Sequence, residues 1–99
     1  MRLVDLQHRM RNDLLDEGRP NSVVRLAEQL FAVPVITAQQ TTQMLGVTPP
    51  TAHAAINALV ERGDLREITG KDRNRVYEAP RIFDAVYGDI DMPDERDDV

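Results

Sequence analysis

Three polar side chains, Thr51, His53 and Asn57, stand in a stretch that is otherwise mostly alanine and aliphatic. An asparagine can hold adenine through two hydrogen bonds, and a threonine can donate to a base edge or meet a thymine methyl. Further on, Lys71, Arg73 and Arg75 fall within five residues, opposed only by Asp72, and Arg66 precedes them. Cations clustered in this way hold phosphates or enter a minor groove. The first stretch has no Lys or Arg before Arg62. The pattern therefore separates base-edge chemistry at Thr51, His53 and Asn57 from phosphate chemistry at Arg66, Lys71, Arg73 and Arg75. Other chemistries find no foothold. There are no cysteines and only two histidines, His8 and His53, so neither a thiolate site nor a histidine-built zinc site is expected. No glycine-rich phosphate loop, Gly-x-Gly-x-x-Gly or His-Glu-x-x-His occurs, and no cofactor is expected.

These residues need elements to position them. The stretch 49–62 reads as a helix, with Ala52, Ala55, Ile56, Leu59 and Val60 as its inward face and Thr51, His53 and Asn57 outward. Thr48 is its expected N-cap, Pro49 takes the first helical position, and Gly63 closes it. Just before it, Thr37 with Gln40 fits a capping box that opens a short helix over 38–45, and Gly46 suits a left-handed C-terminal cap. Two helices joined through Gly46-Val47-Thr48 make a helix-turn-helix, whose second helix enters a major groove. After Gly63 the period changes. An extended segment at 65–68, a polar turn at 69–74 and a returning strand at 75–78 predict a hairpin, the wing of a winged helix-turn-helix. The expected fold class is mainly α with a small β-hairpin sheet.

The remaining segments frame this unit. Leu3, Leu6, Met10 and Leu14 form a narrow stripe on a helix over 2–17, suited to packing on the rest of the domain or on a second copy. Asn21 or Ser22 is the expected cap of a helix over 22–32, which Pro34 ends. Val35-Ile36 reads as a stub of strand, and Pro80 breaks the hairpin before a last turn or two of helix that ends at Gly88. The domain reading is an N-terminal helix over 1–19, the winged unit over 20–88 and an acidic tail over 89–99, with few apolar residues and an expectation of disorder.

Charge position matters more than its sum. The chain has 99 residues and a net charge of −5. Residues 1–19 carry four bases and four acids, residues 20–88 seven of each, and the tail six acids against Arg96 alone. The imbalance therefore lies wholly in the tail, which leaves the remainder neutral and compatible with a polyanion. A chain this short buries only about 60–65% of its unfolded surface, which argues against a deep catalytic cleft and against a small-molecule substrate. No apolar run approaches the roughly 20 residues of a membrane helix, and MRLVDLQHRM has no secretory pattern, so a cytoplasmic protein is expected.

The stretches LGVTPPTAHAAI, LVERGDLREITG and RNRVYEAP resemble the C-terminal winged-helix domain that follows the catalytic core in Fic-family (filamentation induced by cAMP) proteins. The resemblance covers about residues 2–88, with Thr41 and Thr42 standing where an apolar–small pair is usual. That family's core transfers AMP through a His-Pro-Phe-x-x-Gly-Asn-Gly-Arg motif. Neither histidine here is followed by proline and no Gly-Asn-Gly-Arg occurs, so the resemblance implies the accessory module and not an enzyme. Double-stranded DNA is the expected partner. The competing reading is a protein-interaction module, self-associating through the N-terminal helix, that positions a separate catalytic domain.

Overall fold

The computed structural model describes residues 3–70 and 74–87. Its order is α1 (Leu3–Asp16), α2 (Asn21–Leu30), β1 (Val35–Thr37), α3 (Ala38–Leu45), α4 (Pro49–Arg62), β2 (Arg66–Glu67), β3 (Val76–Glu78) and α5 (Pro80–Tyr87). The strands form one antiparallel sheet in the order β1-β3-β2, with Ile36 opposite Tyr77 and Arg66 opposite Glu78. A helical body carrying a helix-turn-helix and a three-stranded sheet is the expected winged-helix class. No helix among the described residues is long and apolar enough to cross a membrane. Lys71 and Arg73 lie outside the described residues, as does the acidic tail.

The core is shared by every helix. Leu14, Leu26, Leu30, Ile36, Ile56, Leu59, Leu65 and Ile82 are wholly or almost wholly buried in one cluster. The narrow α1 stripe belongs to it. Leu6, Met10 and Leu14 are buried, Leu3 packs at the margin, and α1 lies against α2 and α5. A seam that could have served a second copy is thus filled from within the chain.

Several boundaries differ from the expectation for local reasons. Neither Asn21 nor Ser22 caps α2: the helix already includes Asn21, Pro20 takes the cap position without a side-chain bond, and its carbonyl accepts from Val23 and Val24. The same helix stops at Leu30. Ala32 and Val33 both donate to the Gln29 carbonyl, tightening the chain ahead of Pro34. Arg75 lies before β3, not in it. Pro80 opens an eight-residue helix at its first position, where a missing N–H costs nothing. Val60 is 37% exposed and does not belong to the inward face of α4. Thr41 is fully buried, but its hydroxyl donates to the Thr37 carbonyl at 2.9 Å, so this departure from an apolar residue leaves no orphaned polar group.

Candidate nucleic-acid interface

The helix-turn-helix is fixed by local chemistry at each end. Thr37 accepts from the Gln40 N–H at 3.1 Å while the Gln40 side chain accepts from the Thr37 N–H at 2.9 Å, which is the expected capping box. Gly46 closes α3 at φ 66°, and a Cβ there would meet open space, so backbone conformation alone asks for glycine. Thr48 then caps α4, accepting from the Thr51 N–H at 3.4 Å, with Pro49 at the first position. Ala52, Ala55, Ile56 and Leu59 face inward, and His53 and Asn57 are exposed one turn apart on the outside.

The hairpin stands across a recess from this helix. At the far end of β2 the Glu67 carboxylate accepts from the Thr69 N–H at 2.9 Å, from the Thr69 hydroxyl and from the Gly70 N–H. On the return, Asn74 adopts φ 52°, a left-handed conformation that asparagine tolerates better than most residues. Ile68 then donates to the Val76 carbonyl at 2.9 Å.

Between α3, α4 and the hairpin lies a recess of about 700 Å³. His53 and Asn57 of α4 line it, with Gln39, Thr42 and Gln43 of α3 and with Asn74, Arg75 and Tyr77 of the hairpin. Three of the residues expected from the sequence, His53, Asn57 and Arg75, therefore meet around one space.

Two others do not join them. Thr51 is half-buried and absent from the lining, and its hydroxyl accepts from the Thr48 hydroxyl at 3.1 Å, so it serves the helix start. Arg66 is exposed, but Nε and Nη2 both donate to Glu78 Oε2, at 3.0 and 2.7 Å. It also pairs in register with Glu78, one position away from Tyr77, so strand alternation sets it on the sheet face away from the recess. Lys71 and Arg73 are outside the described residues.

The sequence reading passed over Gln39 and Gln43. Their spacing of four places them on one face of α3, opposite the buried Thr41 and Leu45, which is the available signal. Both amides face the same space as Asn57.

The cation at the other end of α4 has a different role. Arg62 Nε donates to Asp64 Oδ2 at 2.7 Å, and its Nη1 pairs with Glu17 at the end of α1. Burial pulls the Arg62 pKa down, but the bonds to Asp64 and Glu17 outweigh it and leave the pKa raised. Glu17 is held below its ordinary value by its hydrogen bonds to Arg19 and then to Arg62. Asp64 is buried. Its Oδ1 has no hydrogen-bond partner among the described residues, although the Arg81 guanidinium lies 3.8 Å away.

No protein-family model matches the chain, and no curated protein matches it.

Proposed function

We propose that the chain is a double-stranded-DNA-binding module in which α4 enters a major groove and the hairpin follows the flanking backbone. The observation that carries this is the shared recess: an exposed polar helix face at His53 and Asn57 and a wing cation at Arg75 border one concave space. An α-helix fits a major groove about 12 Å wide, and a cation on a projecting hairpin contributes the phosphate affinity that α4 lacks. The neutral charge of residues 20–88 leaves no general repulsion to overcome in that segment. The likeness of LGVTPPTAHAAI and RNRVYEAP to the Fic-family accessory domain extends the proposal: the module is a cytoplasmic, non-catalytic partner of a Fic-type activity that this chain's motifs do not supply. Arg66, held by Glu78, is assigned to the sheet and left out of the interface.

Fluorescence anisotropy with mixed genomic duplex at low salt tests the reading. Binding in the micromolar range is expected, weakening with salt. The single change Arg75→Ala lowers the log–log salt slope by about one phosphate contact, or ~0.9. Absence of binding at tens of micromolar overturns the proposal, as does binding that Arg75→Ala together with Arg73→Ala leaves unchanged.

A further inference from the structure

The chemistry around the recess is uneven. Two of its hydroxyls are already occupied: Thr42 donates to the Ala38 carbonyl at 2.9 Å, and Thr37 accepts from the Gln40 N–H at 3.1 Å. Gln39, Gln43, His53 and Asn57 are exposed and take part in no side-chain hydrogen bond among the described residues. No lysine or arginine occurs anywhere in α3, and the single arginine of α4, Arg62, is committed to Asp64 and Glu17 at the distant end.

Base edges sort side chains by donor and acceptor pattern. Guanine offers two acceptors, O6 and N7, and is read by arginine or lysine; adenine offers the N7 acceptor beside the N6 donor and is read by the paired acceptor and donor of an asparagine or glutamine amide. We infer that the helix face of Gln39, Gln43 and Asn57 selects adenine-bearing sites over guanine-bearing ones, with Asn57 as the principal reader. Spacing agrees with this. Positions four apart on a helix rise about 6 Å, close to two base-pair steps of 3.4 Å, so His53 and Asn57 on α4 are spaced to address bases two steps apart, with Gln39 and Gln43 of α3 flanking them across the recess. His53 flanks Asn57 and serves either as a base-edge donor or as a phosphate contact. The inference rests on the DNA-binding reading and adds to it which base is read and by which groups.

The test is selection by the full chain from a duplex pool with a randomised ten-base-pair centre, followed by titration of the enriched duplex. Enrichment of adenine at one or more fixed positions is expected. Replacing that adenine by 7-deazaadenine, which lacks the N7 acceptor, should weaken binding about fivefold, the loss of one of the two hydrogen bonds of an amide–adenine pair. In Asn57→Ala the same replacement should cost nothing further. Because Asn57 is exposed, the variant should keep its helical circular dichroism, and Gln43→Ala provides a second reader to remove. Guanine enrichment, or an adenine preference that survives both Asn57→Ala and Gln43→Ala, overturns the inference and leaves DNA binding standing. Uniform binding across the pool does the same. Failure to bind any duplex overturns both.

Discussion

The two ends of α4 carry opposite kinds of polar chemistry. At the end containing His53 and Asn57, side chains that can donate and accept hydrogen bonds border a recess and have no partner among the described residues. At the other end Arg62, a full charge, is drawn into a chain of ions that runs from Arg19 through Glu17 and Arg62 to Asp64. The one arginine of the helix is committed to the fold, while His53 and Asn57 stay exposed. The ionic end ties three segments that are far apart in sequence: the end of α1, the end of α4 and, through Arg81, the start of α5. His53 and Asn57 at the neutral end make no side-chain hydrogen bond among the described residues, so changing them should cost the fold little.

This contrast can be broken or sharpened experimentally. The largest effect is expected where α1 meets the core. Leu14 is fully buried, so Leu14→Ala should destabilise the isolated chain by about 3 kcal/mol in urea titration. A midpoint shift that depends on protein concentration would instead make the stripe an interface between copies. Next is the ionic end. Arg62→Ala removes the bonded partner of a buried carboxylate and should cost about 3 kcal/mol by the same measurement. Asn57→Ala on the exposed face should stay within about 0.5 kcal/mol of the parent. If Arg62→Ala is as mild as Asn57→Ala, the division between the two ends fails. The smallest effect concerns acid. The folded-state pKa of Glu17 is lowered, so its contribution is present above its ordinary value of 4.5 and is lost as pH falls through the lowered folded value. The melting temperatures of the parent and Glu17→Gln should therefore differ at neutral pH and converge as pH drops below 4.5; a gap that persists at pH 2 contradicts the pairing.

What could be read from the chain beforehand follows how local the determining groups are. The limits of α3 and α4 are each set by a residue within one turn: the Thr37–Gln40 box, Gly46, and Thr48 with Pro49. The start of α2 was misread by the same reasoning, because Asn21 and Ser22 are good caps in isolation and the chain offers the Pro20 carbonyl instead. The site was harder. His53 and Asn57 follow from helical period alone, but Gln39 and Gln43 reach the recess only because of how α3 packs across α4. The loss of Arg66 from the interface depends on the pairing of β2 with β3, which sets it opposite Glu78; no spacing in the sequence gives that register.

Thr37 ends β1 in register with Val76 of the hairpin and at the same time caps α3. One residue is therefore the hinge pin between the flap and the helical head. No residue intervenes between the strand that pairs with the hairpin and the helix, so the placement of one is tied directly to the placement of the other. A single glycine inserted between positions 37 and 38 would break the Thr37–Gln40 spacing of the capping box and uncouple the flap from the helical head.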